Sequence, residues 1–191
     1  MFTRSQVVYK CAHALVNALG HKDDVSKHHS VRVAQVSLMI SEQFESGIVD
    51  TDTLYLGALC HDIGKIGVPD SILKSTGRLD AECLRVMQQH AVYGAEMVSS
   101  LGIDGINDIV AIIRHHHESY MGGGYPDGLL GENIPIGARI VSVAVYYDAL
   151  TSSRSYKKAF SQQAALQIMS TEKRFDPLVF EAFLNIVSLI G

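Results

Sequence analysis

No stretch of this 191-residue chain approaches the roughly 18 uninterrupted apolar residues that a membrane-spanning helix needs. The opening MFTRSQ leads into no signal-peptide core, so the expectation is a cytoplasmic globular protein. Cysteine is scarce. Cys11, Cys60 and Cys83 are odd in number, scattered and set in apolar helical patterns, which points to buried thiols rather than a disulfide framework or a zinc knuckle. An excess of positive charge is also missing: the formal net charge is -4, which argues against polymeric nucleic acid or an anionic lipid surface as partner. Any anionic ligand must then be held by a local cluster. Internal repeats, low-complexity tracts and interdomain linkers are absent as well, so residues 1–191 read as one domain without an attached sensory or receiver domain. The 47% hydrophobic content suffices for its core.

What is present is helical periodicity. Val7, Cys11, Ala14, Leu15 and Ala18 form one apolar stripe, and Val33, Val36, Ile40 and Phe44 form another that ends at Gly47. A third helix is predicted from Asp50 or Thr51 to Gly64, which puts His61 and Asp62 at a helix end. Asp80 caps a long predicted helix carrying Leu84, Met87, His90, Ala91 and Gly94, and a further helix spans about 106–117. Between 119 and 137 the sequence SYMGGGYPDGLLGENIPIG is too rich in glycine and proline for a helix and alternates too little for paired strands. Helices resume over 138–150, 161–170 and 177–190, the last capped by Asp176 with proline at its first position. The predicted fold is an all-α helical bundle with one long loop.

Nine histidines are the feature that needs a reason, because seven of them fall between positions 28 and 117 in tight groups. One histidine on an apolar helix face is more often a hydrogen-bonded core or surface residue than a ligand. Together, however, His29, the adjacent pair His61–Asp62, His90, and His116 with His117 can converge from several helices on one spot in a bundle core. Imidazole and carboxylate suit manganese, iron, zinc or similar divalent ions, and a carboxylate between two ions suits water attack on a phosphodiester. His28 and His115 are set aside, since successive helical residues diverge by about 100°. His13 and His21 lack acidic or histidine neighbours at ligand spacing and read as solvated or capping residues. Lys65, one turn beyond His61, is either a solvated helix-terminal cation or a contact to phosphate or developing negative charge.

These residues, taken in order, resemble the HD-GYP family, a branch of the HD metal-dependent phosphohydrolases whose typical members hydrolyse cyclic di-GMP. The resemblance is carried by HSVRVA at 29–34, HDIGKIGVPD at 61–70, His90 with Gly94, HHE at 116–118, GYPDGLLGENIP at 124–135, DALTSSRSYKKA at 148–159 and FDP at 175–177. It implies an HD-type bundle in which His29, His61, Asp62, His90, His116 and His117 ligate two ions, commonly iron or manganese, with Asp62 bridging. Asp62 and Lys65 would serve catalysis. Tyr125 of the GYP loop, Asp148, Arg154 and Lys157 would contact the dinucleotide. Tyrosine can stack on a base, a carboxylate can accept from guanine, and cations can clamp phosphates. The competing readings are loop packing for Tyr125 and an exposed basic turn for Arg154 and Lys157.

Three departures from the family pattern stand out. The family's aspartate ligand, 28 residues after the second histidine of HHE, is here Val145. Asp148 lies one turn later, rotated by about 60° and displaced by about 4.5 Å, a poor geometric substitute. Where some members carry a glutamate for a third ion, four residues before His29, this chain has Val25. The loop reads GGG at 122–124, with Met121 in place of the usual aspartate, and the expectation is an unusually flexible loop that presents Tyr125 loosely. Two functions follow: a metal-dependent phosphodiesterase acting on cyclic di-GMP or a related cyclic dinucleotide, or a degenerate domain that binds a nucleotide or a signalling protein, the latter through the GYP loop.

Overall fold

A computed structural model describes residues 4–44, 47–153 and 158–190, with side chains from Gln6 onward. Among the described residues every regular element is helical: α1 Arg4–Lys22, α2 Asp24–Ser41, α3 Thr51–Cys60, α4 Asp70–Leu73, α5 Ala81–Gln88, α6 His90–Ser99, α7 Asn107–His115, α8 Ile136–Thr151, α9 Gln162–Thr171 and α10 Pro177–Ile186. None is long and apolar enough to cross a membrane.

Side-chain caps start four of these helices by accepting otherwise orphaned backbone N–H groups. Asp50 accepts from Asp52 and Thr53 at the head of α3, and Asp80 from Cys83 at the head of α5. Ser161 accepts from Ala164 before α9, and Asp176 from Leu178 before α10, where Pro177 takes the position that needs no N–H donor.

Helix α2 lies at the centre of the bundle, packed on α1, α3, α8 and α10. Val33, Ala34, Ile40, Leu54, Ala58, Ile113, Ile140, Val141 and Val143 are sealed completely from solvent in the shared core. Each large aliphatic side chain buried in this way contributes about 1.5–3 kcal/mol. Close approach is set by small residues. A Cβ at Gly57 of α3 or at Gly137 of α8 would lie 2.8 and 2.6 Å from Ile112 of α7, so both glycines let these helices meet around that isoleucine. The consequence is positional, because the C-terminal ends of α3 and α7 carry His61 and His116.

Several boundaries differ from the sequence reading. The helix expected to run from Asp80 past Gly94 breaks at Gln89, whose N–H turns to the Val86 carbonyl at 3.2 Å while the His90 ring takes the Met87 carbonyl. His90 thereby becomes the first residue of α6 and points inward. The helix expected over about 106–117 stops at His115, which releases His116 and His117 from helical divergence. The final helix ends at Ile186 and continues as a 3-10 turn over Val187–Leu189.

Gly64 sits in the 3-10 turn Ile63–Gly67 that follows the His–Asp pair, and a Cβ there would lie 1.9 Å from the His90 carbonyl oxygen. Only glycine lets this turn press against α6, and that contact brings Asp62 to His90.

Candidate metal centre

Each helix end delivers a histidine with its outer nitrogen already engaged. His61 Nδ1 donates to the Ala58 carbonyl, His90 Nδ1 to Met87 and His116 Nδ1 to Ile113, each at 2.7 Å. A carbonyl only accepts, so Nδ1 carries a proton and Nε2 is the nitrogen left to face inward. His29 reaches the same state by donating Nδ1 to Asp148 Oδ2 at 2.6 Å. Burial pushes His29, His116 and His117 below the ordinary imidazole value and His90 down to about 4, so these rings stand neutral, the form in which imidazole binds metal.

The inward atoms form two groups: His29, His61 and Asp62, and His90, His116 and His117. Within each, the ligand atoms lie within 4.8 Å of one another. Asp62 joins the groups through different oxygens. Its Oδ1 lies 3.5 Å from His90 Nε2, while its Oδ2 lies 3.5 Å from His61 Nε2 and 3.9 Å from His29 Nε2. This division suits a carboxylate that bridges two ions with one oxygen to each.

Two observations argue that these residues fit cations. His61 Nε2 is buried without any hydrogen-bond partner, which is costly for a polar atom in a protein interior. His90 Nε2 and His116 Nε2 face each other at 3.3 Å with both lone pairs inward, an arrangement that a cation between them relieves. Imidazole nitrogens and carboxylate oxygens suit divalent iron, manganese or zinc. Asp62 itself is anionic. Burial alone would raise its carboxyl, but the Lys65 ammonium, 2.6 Å from Oδ2, and then His61 hold it well below the usual range.

The other predicted site residues occupy mixed positions. Val145 of α8 lines a cavity of about 520 Å³ together with His29, Asp62, Lys65, His90 and Tyr125. Its side chain is apolar and supplies no ligand atom to either group. Val25 lines the same cavity without supplying a ligand. Asp148 meets a setting unlike the expected nucleotide contact: it is buried, accepts from His29, and is clamped by Arg32 Nε at 2.6 Å and Nη2 at 2.9 Å, with Ser152 Oγ at 3.1 Å. Tyr125 stacks on His117, with ring centroids 4.7 Å apart and 24° between planes. Tyr125 also lines the cavity. Arg154 and Lys157 lie outside the described residues. Of the set-aside histidines, His28 is exposed beside Asp24, and His115 turns away to Asp127 at 2.9 Å.

The sequence reading overlooked two residues. Arg32, three positions after His29, was legible as a neighbour on the same helix face. Glu118 is 2% exposed and accepts from the backbone N–H groups of Asp127 and Gly128 through Oε1 and of Leu129 through Oε2, at 2.8, 3.0 and 3.1 Å. Asp127 is in turn gripped by Arg114 through two bonds of 2.7 Å. The loop expected to be loose is thus tied at its centre, and Gly122 and Gly123 supply positive φ values of 89° and 78° that its course requires.

Similarity to known proteins extends over most of the chain. The cyclic di-GMP phosphodiesterase response regulator RpfG of Xanthomonas campestris is 37% identical over 173 residues, covering 90% of this chain and 46% of RpfG. The 3'3'-cGAMP-specific phosphodiesterase 2 of Vibrio cholerae is 32% identical over 185 residues, covering 96% of this chain and 35% of that protein. This chain thus spans less than half the length of either relative. Among solved structures, Bd1817, an HDG"Y"P protein of Bdellovibrio bacteriovorus, shares the fold at a TM-score of 0.70 with 24% identity, covering 98% of this chain and 65% of that one. Residues 13–179 match the HD domain, and the chain belongs to the HD domain family.

Proposed function

We propose that this chain is a metal-dependent phosphodiesterase that hydrolyses a cyclic dinucleotide, cyclic di-GMP or the related 3'3'-cGAMP. The observation that carries the reading is the division of the Asp62 oxygens between two histidine groups whose Nε2 atoms face inward. His29, His61 and Asp62 would hold one ion, and Asp62, His90, His116 and His117 the other, with iron or manganese as the metals expected. Bound there, such ions supply Lewis acidity and lower the pKa of bound water. Lys65 stands on the cavity wall beside Asp62, where its ammonium can meet a substrate phosphate. Tyr125 lines the cavity, and Arg154 and Lys157 remain the cations assigned to the dinucleotide phosphates. The relatives named for these substrates support the class and divide between cyclic di-GMP and 3'3'-cGAMP.

Val145 favours a second reading, a domain that binds the nucleotide or a signalling protein without efficient turnover, because the first group has three protein ligands where a carboxylate would make four. The test is anaerobic loading with iron or manganese, metal analysis, and assay against both dinucleotides. Hydrolysis that is lost in His61→Ala and Asp62→Ala supports the enzyme. Full metal loading with tight nucleotide binding and no product from either substrate rejects it in favour of the binding domain.

A further inference from the structure

Among the ligand histidines with a described Nδ1 partner, His29 alone rests on a side chain. His61, His90 and His116 are fixed by the carbonyl three residues earlier in their own backbone, so their orientation follows from local helix geometry. His29 is held across 119 residues of sequence by Asp148, at 2.6 Å. Asp148 is also not free to turn elsewhere. Arg32 meets it with two nitrogens, at 2.6 Å on Oδ1 and 2.9 Å on Oδ2, and Ser152 donates to Oδ2 at 3.1 Å while accepting from Arg32 at 3.0 Å. Both Asp148 oxygens are occupied and the residue is 6% exposed, which leaves little of it to offer a ligand in the cavity.

We infer that Asp148 is a positioning residue for the metal centre rather than a nucleotide contact: with Arg32 as its anchor, it fixes the ring of His29 and directs Nε2 toward Asp62. The inference rests on the metal-centre reading and sharpens it. A carboxylate behind a ligand imidazole fixes its tautomer and orientation and strengthens it as a donor, and loss of such a partner costs about 10- to 100-fold in metal affinity. The dependence is acute here. With Val145 supplying no oxygen, the first group has three protein ligands, and misdirection of His29 leaves two.

The second group, His90, His116 and His117, serves as an internal control, since none of its rings touches Asp148 or Arg32 among the contacts described. Metal-free protein is titrated with Mn2+ and bound ion is counted by electron paramagnetic resonance, for the wild type, Asp148→Asn, Arg32→Met and His29→Ala. The metal-free proteins are also examined by proton NMR for the hydrogen-bonded imidazole N–H of His29. The expected result is a 10- to 100-fold loss of affinity at one ion in Asp148→Asn, a smaller loss in Arg32→Met, and unchanged affinity at the other ion. The His29 N–H signal should be absent in His29→Ala and displaced upfield in Asp148→Asn. In the double variant His29→Ala/Asp148→Asn, the loss should not exceed that of His29→Ala alone. Unchanged Mn2+ affinity and an unmoved N–H signal in Asp148→Asn, with a raised KM for the dinucleotide, would overturn the inference and return Asp148 to substrate binding. A wild type that takes up no ion would instead sink the metal-centre reading, and the NMR signal would still decide whether Asp148 holds His29.

Discussion

The Lys65 ammonium lies 2.6 Å from Asp62 Oδ2, on the same oxygen that faces His61 and His29. That oxygen is therefore contested between a fixed organic cation and any ion in the first histidine group. Replacing Lys65 with Met should leave Mn2+ affinity unchanged or raised, because Oδ2 is freed. Turnover should fall roughly 100- to 1000-fold, the usual effect of losing one electrostatic stabiliser of developing charge. Ion counting beside initial rates checks this. A parallel fall in affinity and rate would mean that Lys65 builds the metal centre instead of acting on substrate.

The substitution Val145→Asp introduces an oxygen donor at a position that lines the cavity shared with His29 and Asp62. It should raise metal content in the purified protein and increase the rate of dinucleotide hydrolysis. Elemental analysis is the direct readout, and an unchanged metal content would mean that Val145 does not limit how the first group holds an ion.

Three backbone N–H groups converge on the carboxylate of Glu118, so Glu118→Ala should loosen the loop at 127–129 and cost roughly 1–3 kcal/mol of stability. Tyr125, stacked on His117, is carried by the same loop and should lose its hold. Amide hydrogen exchange reports the outcome: accelerated exchange at 127–129 with the α2 and α3 amides unaffected. Equal acceleration throughout the bundle would assign Glu118 a global role.

Acid should weaken the metal-free fold. The buried His29, His90 and His116 and the half-buried His117 titrate below their ordinary value because desolvation disfavours the imidazolium. The unfolded chain therefore binds more protons than the folded one, and stability rises with pH. The contribution is complete above about 6.5, the ordinary imidazole value, and drains away as the pH falls toward the folded value of about 4 at His90. Urea midpoints measured between pH 7.5 and 4.5 should decline across this window, and less steeply in His90→Gln. A flat profile would contradict it.

The sequence alone determined the helical class, most element boundaries to within a few residues, and the six side chains that line the candidate metal centre. These follow from periodicity, capping residues and the chemistry of clustered histidines, all of which act over a few positions. Through the resemblance to the HD-GYP family it also marked Val145 as an apolar residue where the family pattern has an aspartate. Tertiary structure decided matters that depend on distant residues meeting. The break at Gln89 aims His90 inward because the turn at Gly64 presses on α6 with no room for a Cβ. Asp148 engages His29 and Arg32 because α8 packs along α2, a contact spanning more than a hundred positions. Tyr125 packs on His117 because Glu118 gathers the backbone of a loop whose composition suggested looseness. The first of these is a matter of close packing; in the other two a buried polar group finds its partner, and a buried donor or acceptor takes whichever partner the packed helices bring within reach.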